Sequence, residues 1–276
     1  MGYQESKLTD DKGELFIREW LPETDAQKII CLIHGQSEHS GRYEHVASFF
    51  NEQEIGVMAM DLVGHGKSYG KRGHIQSIHD YLQNVHTLIN EAQKRHNGIP
   101  RVVYGHSMGG NVVANYALSQ LFDDELQGII LSSPWFKLAS APPVFKEILA
   151  GIMNRIYPAY TENNKLTGKE LSRDPKVAPA YVNDPLVHGK ISAGAYYACR
   201  AAGLHALAHA HQLPKPTLVL HGTADSIISH QASKDFAKKA NGLVTHLEFE
   251  GGYHELHNDI EWEKVMATIH EWIQQL

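Results

Sequence analysis

The sequence predicts an α/β fold built on a mostly parallel sheet, and two observations carry that prediction. Apolar runs of strand length recur along the 276 residues, and between them lie longer stretches with apolar residues at helical spacing. Several runs are apolar at consecutive positions, the pattern of strands covered on both faces rather than half-solvated ones. A chain of this length buries a substantial core without disulfide or metal staples.

In chain order, residues 15–21 alternate loosely and read as an early strand. Residues 28–33 (KIICLI) form a near-continuous apolar run, followed by 55–61 (IGVMAMD), 101–106 (RVVYGH), 127–132 (QGIILS), 217–221 (TLVLH) and 244–249. The segment 79–96 places Leu82, Val85, His86 and Ile89 at helical spacing, and 108–121, 231–240 and 259–272 behave similarly. From 137 to 213 the alternation stops, and only helices and loops are expected. Pro142 and Pro143 open a helix there. Val144, Phe145, Ile148, Leu149, Ile152, Met153, Ile156 and Tyr157 make its wide apolar stripe, with Lys146, Glu147, Asn154 and Arg155 opposite. The polar stretch 166–185 contains three prolines and reads as loop, and 189–211 reads as further helix. The expected organisation is a core over 1–136 and 214–276, interrupted by a helical cap over 137–213.

Composition narrows the function. The net charge of −6 argues against a nucleic-acid binder, which carries a basic field. Cys31 and Cys199 make no CxxC or CxxH pattern, so reduced thiols are expected rather than a disulfide framework or a zinc ribbon. The opening MGYQESKLTDDKGEL lacks the apolar region of an export signal. The stretch 191–213 carries Arg200, His205, His209 and His211 and is too polar to span a bilayer. A soluble, cytoplasmic protein is the expectation. The insertion holds nine Lys/Arg against five acids, a net +4, which leaves −10 on the remainder. That asymmetry predicts peripheral contact with an anionic membrane or micelle surface, or with an anionic ligand, against the plainer reading of an evenly solvated face.

The chemistry concentrates at Gly105-His106-Ser107-Met108-Gly109-Gly110, a G-x-S-x-G pattern between a buried strand and a helix. A sharp strand-to-helix turn there holds a serine in a strained backbone conformation with its hydroxyl exposed. The helix N-terminus favours negative charge arriving at the turn. Serine is a poor nucleophile near neutral pH and needs a base, and the base needs an orienting acid. The order in this setting is Ser…Asp/Glu…His. Asp225 follows the strand TLVLH and His254 follows the last strand, both at carboxyl ends where sites of open α/β sheets gather. Asp225 is therefore expected to orient and His254 to act as base, with His221 and His257 as rival bases and Asp61 as rival acid. An oxyanion needs two donors. The backbone N–H of Met108 and of Gln36, on the loop after KIICLI, are the candidates.

At this point the chain resembles a known family. The blocks His34-Gly35-Gln36-Ser37-Glu38-His39-Ser40-Gly41-Arg42-Tyr43, Asp61-Leu62-Val63-Gly64-His65-Gly66-Lys67-Ser68, Gly105 to Gly110 and Gly252-Tyr253-His254-Glu255-Leu256-His257 together resemble the monoacylglycerol lipase/lysophospholipase-like group of α/β-hydrolases. Asn183-Asp184-Pro185-Leu186 is similar to a signature of that group's cap. The resemblance implies the α/β-hydrolase fold, with an eight-stranded core and a helical cap over an acyl tunnel. It matches Ser107, Asp225 and His254 to the family's triad and Gln36 and Met108 to its oxyanion positions. It matches Glu38, Arg42 and His257 to residues that contact the glycerol end of the substrate. Glu38 and Arg42, four apart, also have the spacing to pair with each other. The chain departs from the usual block at Gln36 and Ser37, where smaller or apolar residues and glycine are common.

Other motifs fall short. His254-Glu255-Leu256-His257-Asn258 is not HExxH, His205 and His209 lack a third ligand motif, and no phosphate-binding loop or dinucleotide fingerprint is present. A dehalogenase or epoxide hydrolase would carry Asp at the elbow. The expectation is a serine esterase needing no cofactor or metal, cleaving monoacylglycerols to fatty acid and glycerol through an acyl-enzyme. Lysophospholipase or general carboxylesterase activity is the alternative within enzymes, and a non-catalytic ligand-binding relative the alternative outside them.

Overall fold

In a computed structural model that describes every residue except 1, 10, 11, 165 and 241 and the side chain of residue 146, strands and helices alternate as the periodicity requires. Lys165, one of the nine Lys/Arg counted in the insertion, and the side chain of Lys146 lie outside the described residues. The elements are β1 (Gly2–Thr9), β2 (Glu14–Leu21), β3 (Lys28–Ile33), α1 (Glu44–Asn51), β4 (Ile55–Asp61), α2 (Ile78–Arg95), β5 (Arg101–His106), α3 (Met108–Ala117) and β6 (Leu126–Ser132). Then come α4 (Val144–Ile156), β7 (Thr161–Asn163), α5 (Val177–Asn183), β8 (Lys190–Ser192), α6 (Ala193–His209), β9 (Thr217–Gly222), α7 (His230–Lys239), β10 (Val244–Phe249) and α8 (Trp262–Ile273).

Eight strands form one sheet in the order β1-β2-β4-β3-β5-β6-β9-β10. The β1/β2 and β2/β4 pairs are antiparallel and the remaining pairs parallel. The expected mostly parallel, eight-stranded α/β sheet is present. The run KIICLI shows why consecutive apolar residues are needed. Ile29, Cys31 and Ile33 join the layer packed by α2, α3 and α6, whereas Ile30 and Leu32 join the opposite layer with α1 and α8. Period-two geometry sends alternate side chains into two separate cores. The chain runs from β3 outward to β4, then crosses back to β5. The β3 and β5 ends therefore flank the point where strand order reverses, the place where open α/β sheets build their sites.

Four readings are corrected. β1 was not expected, because GYQESKLT is polar on both faces; it is a mostly exposed edge strand, where charges such as Glu5 and Lys7 guard against further pairing. The segment 137–213 does contain strands, since β7 and β8 pair antiparallel. Each has only three residues, too few for an alternation to register. Within the stretch read as loop, α5 spans seven residues. Its Pro179 sits in the first turn, where a missing N–H costs nothing. Residue 189 stands before β8, and α6 begins only at Ala193, with the Ser192 hydroxyl accepting from Ala195 N.

The residues between β6 and β9 are tied to the sheet mainly through α6. Asn111 and Asn115 of α3 donate to the carbonyls of Cys199 (2.7 Å) and Ala202 (2.9 Å) on α6. α4 differs, as Val144, Phe145, Ile148, Leu149, Ile152 and Ile156 are all exposed.

Candidate active site

Ser107 sits between β5 and α3 with φ 53° and ψ −116°, a left-handed conformation that a residue with a Cβ adopts only under constraint. The constraint is visible. Its N–H donates to Ser132 O (2.9 Å), and its carbonyl accepts from Trp135 N (2.9 Å) and Asn111 N (3.1 Å). The two flanking glycines are steric requirements. A Cβ on Gly105 would collide with the carbonyl of Gly109, and one on Gly109 with the carbonyls of Ile33 and His34.

The loops after β9 and β10 bring the other two residues to this turn. His254 Nε2 lies 2.9 Å from Ser107 Oγ, and His254 Nδ1 lies 2.7 Å from Asp225 Oδ2. Asp225 Oδ1 accepts from the backbone N–H groups of Ile227 (2.8 Å) and Ile228 (2.9 Å), which fixes the carboxylate plane. All three residues are buried, so their interactions act with little water between them. Burial pushes the Asp225 carboxyl up, but the His254 imidazole and the hydrogen bonds from His221 and His254 hold it well below the usual range. Burial pushes the His254 imidazole down, yet Asp225, with Glu255 and Glu38 nearby, holds it above its usual value. That balance suits a base that must take a proton and keep it through an intermediate.

The rivals make other contacts. His221 Nε2 is 3.0 Å from Asp225 Oδ2. Asp61 is spent on Arg18 (3.1 Å), Ser40 N (2.8 Å) and Lys67 N (2.8 Å). His205 Nδ1 pairs with Asn115 Oδ1 at 2.9 Å.

Gln36 follows β3, and a Cβ on the preceding Gly35 would stand 3.2 Å from the Ser107 Cβ, so this loop touches the serine turn directly. Met108 is the first residue of α3, where the N–H has no carbonyl one turn back to accept it. The two positions at which the sequence departs from the family block hold this loop to the β7–β8 region. Gln36 Nε2 donates to Lys190 O (3.0 Å), Ser37 O accepts from His188 N (3.0 Å), and Ser37 Oγ accepts from Asn164 Nδ2 (2.9 Å).

Glu38 and Arg42 do pair, at 2.8 Å, and a third residue joins them. Arg42 grips Glu255 with two parallel bonds of 2.6 and 2.7 Å. Glu38 also accepts from Gly35 N (2.6 Å) and the Tyr43 hydroxyl (2.9 Å). Burial raises the Glu38 carboxyl despite Arg42. Glu255 is equally buried, but the facing guanidinium brings it down to about 2. His257 is fully buried, stacked on Tyr43 at 4.6 Å and edge-on to His106 at 4.7 Å. Burial brings its imidazole down to about 3. Residue types alone do not point to Glu255, whose one signal is its place directly after His254, and they give His221 only as a rival base.

A cavity of about 260 Å³ opens onto Ser107 and His254. Its wall combines polar residues, Gln36, Glu38 and Glu255, with apolar ones, Leu138, Leu171 and Ile228 among them. Arg42 and His257 stand behind this wall and do not line the cavity.

A family model described as "Serine aminopeptidase, S33" matches residues 24–261. The chain belongs to this family. Among its relatives in the family, a monoacylglycerol lipase from Mycolicibacterium smegmatis is 34% identical over 256 residues, 92% of this chain and 90% of that protein. A phospholipase from Bacillus subtilis is 30% identical, covering 90% of this chain and 95% of that one. The crystal structure of a monoacylglycerol lipase from Paleococcus ferrophilus superposes with a TM-score of 0.84 at 34% identity, over 94% of this chain and 98% of that one. This family member is thus an α/β-hydrolase and a carboxylic ester hydrolase.

Proposed function

We propose that the chain hydrolyses the ester bond of monoacylglycerols to a free fatty acid and glycerol through an acyl-enzyme. Ser107 Oγ attacks the carbonyl as His254 Nε2 takes its proton, and Asp225 holds the imidazole in the required tautomer. The N–H groups of Met108 and Gln36 receive the oxyanion, each worth about 3 kcal/mol of barrier. His254 then protonates the leaving glycerol and activates water for deacylation. The single observation carrying this reading is the 2.9 Å Ser107–His254 contact at a cavity lined by both carboxylates and apolar side chains. The monoacylglycerol lipases of Mycolicibacterium smegmatis and Paleococcus ferrophilus support the substrate class. Glu38 contacts the glycerol hydroxyls directly, while Arg42 and His257 act on that end from behind, through Glu38, Glu255 and His106.

In this reading residues 137–213 form a cap over the acyl chain, and the outer face of α4 rests on a lipid surface. Among the described residues no helix is long and apolar enough to cross a membrane, so the contact is peripheral. The buried free thiols Cys31 and Cys199 fit a reducing compartment such as the cytoplasm. Lysophospholipid hydrolysis is the second reading, favoured by the Bacillus subtilis phospholipase and by the +4 insertion.

Purified protein assayed on monooleoylglycerol and on lysophosphatidylcholine separates the two. Monooleoylglycerol is expected to turn over faster, and Ser107→Ala to lower that turnover on the order of 10⁶-fold with the fold intact. Turnover that survives the substitution would sink the mechanism; preference for the lysophospholipid would replace the substrate.

A further inference from the structure

Asp225 carries more imidazole than the mechanism uses. Its Oδ2 receives His254 Nδ1 at 2.7 Å and also His221 Nε2 at 3.0 Å, from the end of β9. An ionised carboxylate only accepts hydrogen bonds, so both ring nitrogens must bear a proton. A neutral imidazole has one such proton, which leaves His221 Nδ1 as an acceptor. Ser233 Oγ on α7 lies 2.8 Å from that nitrogen, in place to donate. His221 and Ser233 are both fully buried, so this is a closed relay with a single tautomer that satisfies it.

We propose that His221 is a positioning residue for the triad: it shares the Asp225 carboxylate with His254, holds its orientation, and restrains the basicity of His254. This rests on the reading of Ser107, His254 and Asp225 given above. With two backbone donors on Oδ1 and two imidazoles on Oδ2, Asp225 has no freedom to swing toward or away from His254. The His221 N–H also engages part of the charge on Oδ2, and charge engaged there pulls less on the proton of His254. The other titratable groups around His221 are His230 and Lys234 on α7 and His246 and Glu248 on β10. The closest of their rings, that of His230, stands 6.5 Å away centre to centre, while Asp225 is in hydrogen-bond contact. Burial keeps the His221 imidazole below its usual value, which favours the neutral donor.

The test is the pH dependence of kcat/KM on a soluble short-chain ester in four proteins: the wild type, His221→Phe, His221→Gln and Ser233→Ala. In His221→Phe the carboxylate loses a donor, the imidazolium of His254 becomes more favourable, and the acid limb moves to higher pH. The ratio of activity at pH 6 to that at pH 8 is expected to fall at least threefold relative to wild type. His221→Gln places an amide N–H where Nε2 was and restores the wild-type limb. Ser233→Ala frees the tautomer and moves the limb the same way by a smaller amount. Thermal unfolding accompanies each variant. If His221→Phe does not fold, Ser233→Ala carries the test, with His221→Gln as its unshifted control. A limb that stays in place in every folded variant that weakens the donor, whatever the loss of plateau rate, overturns the proposal. The Ser107→Ala control reads the other failure: if it retains turnover, the catalytic reading falls rather than the role of His221.

Discussion

At the carboxyl ends of the sheet, polar residues lie deep and in mutual contact; along α4, apolar residues lie in water. Ser107, Asp225 and His254 are each less than a tenth exposed, whereas Val144 and Ile156 are each 75% exposed and Phe145 is 67%. Each region inverts the usual burial rule, for opposite reasons. Burying charge costs free energy unless every group finds a partner, and the strand ends supply partners at 2.6–3.0 Å for the Glu38–Arg42–Glu255 cluster and the triad. Leaving an aliphatic side chain in water forgoes about 1.5–3 kcal/mol, and α4 forgoes it several times over. The first region obtains fixed geometry from its own chain, and the second leaves an apolar face in solvent, the kind of patch that marks contact surfaces.

The comparison can be broken first on its buried side. Arg42→Met removes the one cation between Glu38 and Glu255. Two buried carboxylates then face each other across an apolar side chain, and the expected loss of stability is about 3–5 kcal/mol. Urea unfolding measures it directly. A loss below about 1 kcal/mol would mean that water reaches the cluster and that the inversion of burial is only apparent.

Acid sharpens the same side. Burial holds the imidazole of His34 at about 4 and that of His257 at about 3. A base whose pKa is lower in the folded than in the unfolded chain binds fewer protons when folded. Stability is therefore intact above about pH 6.5, the unfolded value, and falls as pH drops from there toward those values, at about 1.4 kcal/mol per pH unit for each histidine. Glu255, at about 2, releases its own contribution only below about pH 4.5. Unfolding free energies measured between pH 6.5 and 4.5 thus read the histidines before Glu255 titrates; a flat profile there would show that they titrate freely.

How much of this the sequence disclosed follows the same division. Strands β3 to β6 were legible because two-sided burial writes itself as consecutive apolar residues, as in KIICLI. Ser107 was legible because the elbow forces glycine at 105 and 109. Asp225 and His254 were legible because each follows a buried strand. β1, β7 and β8 were hidden: an exposed edge strand and two three-residue strands leave no periodic trace. Glu255 was hidden for another reason. Its role exists only because loops after β3 and β10 converge, and a residue's type says nothing of which distant loop will meet it. His221 was visible only as a rival base. The α4 stripe was read correctly as apolar, but its direction was not written in the pattern, since a stripe facing a core and one facing a lipid surface have the same spacing.

That direction is the smallest effect and the sharpest discriminator. Ile148 is 60% and Ile152 48% exposed on α4. Replacing both with glutamate costs almost nothing in the folded protein if they face solvent, because surface substitutions of this kind stay within about 0.5 kcal/mol each. The unfolding midpoint and turnover of a soluble short-chain ester are expected to hold. Hydrolysis of monooleoylglycerol carried in anionic vesicles is expected to fall about tenfold, because two charges must now enter the interface where two aliphatic groups did. Loss of stability without loss of vesicle activity would place the stripe against protein. Loss of neither would leave α4 unconnected to lipid, and the exposed apolar face would then belong to a partner of another kind.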